Sequence, residues 1–432
     1  MLQTKIKRFK SIDGFFNSKL RYQNFHDDTK LNKNKFSILG SGNSISSLPF
    51  EKKSVLLKTQ LKHKININKK KLELTANSNV EIYEIHNILL KNSLFFPGFP
   101  SYPSVCFGAC VANSVHGLNP KSGCLNDFIK KIKIYNPNFG YKTLTPRKNK
   151  DLFNLTIGGM GLTGVILEVT IKVFKLKSSH FRIKTIQVNS IVEGYNYLKK
   201  TKNLYNQNNF FIDGSKKYFS KGIISSGNFF GKIIIKKEII KKNIQSFRLG
   251  ILNYYICRKL LKKILIFFQL RFRDRVIHIN EALFPSNNRL IYFNLLTRKF
   301  IEHQTIIPHK NVKNYMDEFE EITKRYNPTI TLCHLKIFQG NSKFLQFNAK
   351  GLGITVHLII NKRFNIYYSK LLELNLRYNC KVNLYKNSMI NLTIVKKNYK
   401  KQYKIFKDKI KKINKNFYFT NKIFDNNFYN DH

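Results

Sequence analysis

The sequence predicts an α+β protein, in which short strands and a few single helices share the chain without regular βα alternation. Three observations carry that reading. β-Branched runs with period-two alternation crowd the first 180 residues. Helical periodicity surfaces only in isolated stretches. Glycine-containing loops follow strands directly, and the last of them runs into another strand where a nucleotide-binding βαβ unit would open a helix.

The elements follow in order. KFSILGSG (35–42), SVLLKT (54–59), KKLELTA (70–76) and IKKIKIYNP (129–137) read as strands. NVEIYEIHNILLKN (79–92) sets Val80, Ile82, Ile85, Ile88 and Leu89 near helical spacing, and FFPGFPSYPSV (95–105), rich in proline, is irregular. In 165–174, Val165, Leu167, Val169, Ile171 and Val173 alternate with Ile166, Glu168, Thr170 and Lys172, which predicts a half-buried strand. Between about 180 and 380 come further strands, such as GKIIIKK (231–237) and TIIPHK (305–310), and a helix over KNVKNYMDEFEEITKRY (310–326), preceded by Pro308. After an extended KVNLYK (381–386), the lysine-rich VKKNYKKQYKIFKDKIKKI (395–413) reads as a helix able to close back on the N-terminal part.

The chain carries 77 Lys and Arg against 24 Asp and Glu, a formal charge of +53, and no Trp. Such a balance attracts polyanions. The lysines are nevertheless spread along the whole chain, and Lys, Asn, Ile, Phe and Tyr are abundant together, as A/T-rich codon usage produces. No RNP motif, zinc finger or helix-turn-helix pattern is present, so nucleic acid is not expected as the main partner. An anionic membrane surface fits better, where each lysine near the lipid adds roughly 1 kcal/mol. No apolar run approaches the roughly 18 residues of a spanning helix, and the N-terminus lacks the apolar run of a signal peptide. The expectation is a soluble cytoplasmic protein, with a peripheral position at the inner membrane as its companion. The six cysteines are scattered without CxxC or zinc spacing, so they are expected to be reduced, and no metal site is expected.

Three loops carry the chemistry. The first, GSGNSISS (40–47), follows a strand. The second is VCFGACVANSVHGLNPKSGCLNDF (105–128), and the third is GGMGLTG (158–164). The third has Rossmann spacing, Gly159-x-Gly161-x-x-Gly164, but the period-two run after it removes the helix N-terminus that a Rossmann pyrophosphate needs. Small residues in such loops let backbone N–H groups converge on an anion, and three loops together point to a large bis-phosphate ligand.

In this order the loops resemble the FAD-binding domain of the vanillyl-alcohol oxidase superfamily, the p-cresol methylhydroxylase type. Its first loop, G-x-G-x-S, is matched by Gly40, Ser41, Gly42, Asn43 and Ser44. Its second, with a terminal His-Gly, is matched from Gly108, Ala109 and Asn113 to His116 and Gly117, with Gly123 further on. Its third is matched by Gly158, Gly159, Gly161 and Gly164. Within the superfamily, LKIFQGNSKFLQFNAKGLGITVHL (335–358) and KVNLYKNS (381–388) resemble segments of the decaprenylphosphoryl-ribose 2-oxidase family.

That resemblance implies a two-part FAD-binding domain, 1–178 with a C-terminal return at 381–432, around an inserted mixed-sheet substrate domain at 179–380. It implies Lys386 as the catalytic lysine, with His116 beside flavin and substrate. Glu302, Gln304, Lys336 and Thr355 would face the substrate. Leu118, Leu352, Thr355 and Asn387 depart from the family pattern, which implies an altered sugar pocket. Asn43 stands where many superfamily members attach FAD through a histidine, and an amide cannot form that bond, so non-covalent FAD is expected. The implied activity is oxidation of a lipid-linked sugar phosphate, the 2-hydroxyl of a polyprenyl-phosphoryl pentose, in the making of cell-envelope polysaccharide. A separate short-chain reductase would complete the epimerisation. An aldonolactone or other sugar oxidase is the same-class alternative, and a basic FAD-fold binding protein without turnover the other.

Overall fold

The structure, a computed structural model, describes residues 4–31, 34–119, 124–212, 221–233, 249–288, 290–296, 299–425 and 428. Gly123 and residues 234–237 of the predicted GKIIIKK strand lie outside the described residues, and 231–233 form no strand. The architecture is mixed α and β with several sheets, as the α+β expectation holds.

A four-stranded sheet runs Lys5–Lys10, Asn17–Phe25, Val55–Thr59, Phe36–Leu39. Its first pair is antiparallel and the others parallel. A five-stranded antiparallel sheet orders Ile65–Asn68, Glu73–Asn77, Val165–Lys172, Ile129–Asn136, Gly140–Leu144. An eight-stranded sheet follows in the order Asp274–His278, His180–Val188, Gly222–Phe229, Gln207–Ile212, Ile330–Gln339, Lys350–Ile359, Phe300–Pro308, Lys381–Val382. All its described pairings are antiparallel, which corrects the expected mixed sheet. Two of its neighbouring pairs are consecutive in sequence, Gln207–Ile212 with Gly222–Phe229 and Ile330–Gln339 with Lys350–Ile359, while the others are joined through intervening strands and helices. The mixed sheet is the N-terminal one.

The strand Val165–Lys172 is central in its sheet and covered on both faces, so the half-buried expectation also needs correction. Only Lys172 is exposed. Glu168 is buried because Lys64, Lys131 and Lys133 fold over its carboxylate, and Ile166 is buried beside a cavity. The predicted helices form as Ile82–Lys91, Val312–Tyr326 and Leu392–Ile413. The last buries Val395, Tyr399, Tyr403 and Phe406 in one cluster with Leu48, Leu155 and Leu162. Beyond it Phe419 bridges Phe36, so the chain end reaches the N-terminal sheet. The extended stretch at 381 shortens to two residues, because the Asn383 side chain accepts from the Tyr385 N–H and turns the backbone. No helix among the described residues is long and apolar enough to cross a membrane.

Candidate active site

A cavity of about 840 Å³ lies where the glycine loops meet the eight-stranded sheet, toward the upper end of ligand-site volumes. Gly40, Ser41, Gly42, Asn43 and Ser44 line it from the first loop, and Gly108, Ala109, Asn113 and His116 from the second. From the third loop only Gly161 and Gly164 of the predicted glycines reach it. Gly42 adopts φ +78° with open space beside its Cα, a conformation that glycine reaches without penalty. The N–H groups of Gly42, Asn43 and Ser44 find no acceptor among the described residues, so they are open to an anion. The Ser78 hydroxyl, on a residue that also lines the cavity, is buried with no partner among the described residues. The Asn43 amide is engaged, donating to the Ser104 carbonyl at 2.7 Å.

Gly117, Gly158 and Gly159 do not line the cavity. At Gly159 a Cβ would fall 2.1 Å from the Leu155 carbonyl oxygen. This glycine lets the chain turn tightly off the helix Lys150–Thr156. Gly158 serves through its carbonyl, which accepts from the Tyr385 hydroxyl at 3.1 Å.

Strand register assembles the polar side of the cavity. Glu302 pairs with His357 and Gln304 with Thr355 across one strand pair, while His334 pairs with Thr355 across the next. Alternation then puts Glu302, Gln304, His334, Lys336, Thr355 and His357 on one face, and all six line the cavity. Glu302 is the hub. It accepts from Gln304 Nε2 at 2.8 Å and contacts His357 Nε2 at 3.0 Å and Lys386 Nζ at 3.4 Å. His357 Nδ1 meets the Tyr292 hydroxyl at 2.9 Å, and that hydroxyl meets Thr331 Oγ1 at 2.7 Å. Gln304 Oε1 accepts from Asn383 Nδ2 at 2.7 Å and lies 3.5 Å from His116 Nε2. His116 Nδ1 bonds Lys336 Nζ, which also donates to the Gly117 carbonyl at 2.6 Å. A Lys336 ammonium donating to Nδ1 leaves the His116 proton on Nε2, facing Gln304.

Burial and charge set the protonation of this network. Burial alone would raise the Glu302 carboxyl, but Lys386 and His357 outweigh it and hold it at about 2. Burial, reinforced by Lys386, pulls Lys336 down to about 7. Burial together with Lys336 and Lys386 keeps His116 well below the usual histidine range, hence neutral. The site thus holds a fixed anion, a neutral imidazole and an ammonium poised to lose its proton near neutrality.

Lys386 is carried by a pinned loop. Ser46 Oγ donates to the Tyr385 carbonyl at 2.8 Å, Ser47 N–H donates to Ser388 Oγ at 2.7 Å, and Ser388 Oγ donates to buried Asp13. Asn387, beside Lys386, donates to Tyr368 OH at 2.8 Å and does not line the cavity. The first glycine loop and the lysine loop are therefore one hydrogen-bonded unit.

All the predicted substrate residues, with His116 and Lys386, converge on this cavity. Sequence reasoning missed His357, Tyr292 and Asn383. His357 was legible from its spacing, two residues after Thr355 in a strand pattern. Tyr292 carries no comparable signal.

No protein-family model matches the chain. Among curated proteins, the decaprenylphosphoryl-β-D-ribose oxidase of Mycolicibacterium smegmatis is 29% identical over 108 residues, 24% of this chain and 24% of that protein. The mitochondrial L-galactono-1,4-lactone dehydrogenase 2 of Oryza sativa subsp. japonica is 24% identical over 140 residues, 32% of this chain and 24% of that protein. The D-arabinono-1,4-lactone oxidase of Candida glabrata is 24% identical over 122 residues, 28% of this chain and 23% of that protein. The chain thus spans about a quarter of the length of the curated relatives it matches.

Proposed function

Starting from its relation to the decaprenylphosphoryl-ribose oxidase and the aldonolactone oxidoreductases, which bears out the resemblance read from the loops, we propose that the chain is an FAD-dependent oxidoreductase acting on a sugar hydroxyl. The observation that carries this reading is a single cavity lined both by the glycine loops and by the Glu302 network. The reading assigns residues 1–178 and 381–432 to a two-part FAD-binding domain of the p-cresol methylhydroxylase type, around a substrate domain at 179–380.

The open N–H groups of 42–44, the Ser78 hydroxyl, unpaired among the described residues, and the space beside Gly42 fit a bound dinucleotide. FAD, when held there, supplies the hydride acceptor. Asn43 offers no nucleophile, and its amide is already committed to Ser104, so the cofactor would carry no covalent bond at this position. The remaining chemistry belongs to side chains. Glu302 fixes the Lys386 ammonium at the cavity wall, where it donates to the reacting hydroxyl and steadies the oxygen as negative charge develops. Gln304, clamped by Glu302 and Asn383, presents a fixed amide to the sugar. Lys336, when protonated, supplies a cation for a phosphate ester.

For the substrate we propose the 2-hydroxyl of a polyprenyl-phosphoryl pentose, the first half of an epimerisation that a separate short-chain reductase would complete. Buried Lys336 supports a phosphorylated sugar. The aldonolactone relatives favour a second reading, a soluble aldonolactone substrate. Anaerobic mixing of the flavin-loaded protein with each class separates them. Bleaching of the flavin by a phosphoryl-pentose and not by lactones is expected, and bleaching by lactones alone would move the substrate to the second reading.

A further inference from the structure

The helix Tyr255–Arg271 buries none of its residues. The other long helices each bury a stripe; Val312–Tyr326, for example, buries Val312, Tyr315, Met316 and Phe319. One side of Tyr255–Arg271 contributes Leu261 and Lys262 to the wall of the cavity. Its other side projects Ile256 (78% exposed), Leu260 and Phe267 (63% exposed) outward, with exposed Phe268 at the edge of that side. The spacing of these residues makes one apolar stripe along the helix. Exposed Tyr254 and Phe272 flank the two ends, as aromatic rings do at a lipid interface.

Charge identifies what such a stripe would meet. The helix contains Arg258, Lys259, Lys262, Lys263 and Arg271 and no Asp or Glu. Lys259 and Lys263 run beside the stripe and are exposed. A soluble helix with this much outward apolar surface would ordinarily hold a protein partner. A second copy of this chain on a twofold axis, however, would set these cations against their own counterparts, which costs affinity. An apolar stripe edged by lysines instead matches a bilayer interface with anionic headgroups.

We propose that Tyr255–Arg271 is a docking element that lies in the surface of an anionic membrane, apolar stripe down, while its opposite side walls the cavity. A lipid-linked substrate would then reach the cavity beside the surface that holds its chain. The inference takes its purpose from the lipid-linked reading of the substrate. Its test needs neither substrate nor flavin, so the two can fail separately.

Flotation of the full chain with vesicles tests it. Binding to phosphatidylcholine vesicles containing about one third phosphatidylglycerol is expected, with about tenfold weaker binding to phosphatidylcholine alone. The triple variant Ile256→Glu, Leu260→Glu, Phe267→Glu should lose binding to the anionic vesicles by about tenfold or more. Lys259→Gln with Lys263→Gln should reduce the anionic preference. All five positions are exposed and none lines the cavity, so unchanged circular dichroism and melting identify a folded variant. Absence of vesicle binding by the parent chain overturns the proposal, as does equal binding by the folded triple variant. A parent dimer in light scattering that the triple variant dissolves would reassign the stripe to a second copy and also overturn it.

Discussion

Glu168 and Glu302 are both buried carboxylates on sheet strands, 6% and 5% exposed, and both face cations. Around Glu168 the partners are Lys133 at 3.1 Å, Lys64 at 3.3 Å and Lys131 at 3.8 Å, all with ends in solvent. Burial would raise its carboxyl, but Lys133 and Lys64 outweigh it and hold it below the usual value. The contacts end there, in a closed and solvated ion cluster. Around Glu302 the partners continue: His357 leads to Tyr292 and Thr331, while Gln304 leads to Asn383 and His116. All of these residues line the cavity. A buried carboxylate with cations is therefore not by itself a site. What distinguishes Glu302 is that its neighbours face a space large enough for a ligand.

Substitutions should widen that contrast. The largest effect is expected from Lys386→Ala, which should slow substrate-dependent flavin reduction by roughly 10²–10³ with flavin content retained. Single-turnover absorbance would measure it. If the rate is unchanged, Lys386 is a rim lysine like those around Glu168.

Next in size is a pH effect. Lys336 is depressed to about 7, so it is charged below that pH and neutral above it. KM for a phosphorylated substrate should rise above pH 7 while kcat moves little, and Lys336→Met should abolish the dependence. Equal pH profiles for the two proteins would remove Lys336 from phosphate recognition.

A third prediction concerns stability. Glu302 is lowered from 4.5 to about 2, so its stabilisation is complete above pH 4.5 and is lost as pH falls toward 2. Glu302→Gln should flatten melting temperature against pH across that window. At neutral pH it should cost about 1–2 kcal/mol, a value reduced because Lys386 is partly solvated. The smallest effect belongs to Glu168→Gln. Its lysines are free to hydrate, so a loss of under about 1 kcal/mol and no change in turnover are expected. A large catalytic defect there would erase the distinction between the two carboxylates.

Much of this was legible in the sequence where local pattern decides structure. Period-two alternation located the strands Phe36–Leu39, Val55–Thr59 and Ile129–Asn136, and the glycine loops and positions 302, 304, 336 and 386 do meet at one cavity. What escaped depends on tertiary neighbours. Glu168 and Lys172 read as an exposed face, yet Lys131 and Lys133 from the neighbouring strand, with Lys64, cover Glu168. The N-terminal hairpin of Lys5–Lys10 and Asn17–Phe25 is lysine-rich, and its charge masks the alternation. Gly159 fits a phosphate-loop spacing but is fixed by a carbonyl contact that only the packed helix creates. The Tyr292 link to His357 joins residues 65 positions apart, beyond any local pattern.

The most direct measurement is an absorbance spectrum of the purified protein before and after acid precipitation. Flavin bands that appear in the native protein and move into the supernatant are the predicted result, given Asn43 in the first loop. A colourless protein that FAD does not reconstitute would contradict the oxidoreductase reading, and flavin retained in the pellet would contradict non-covalent binding.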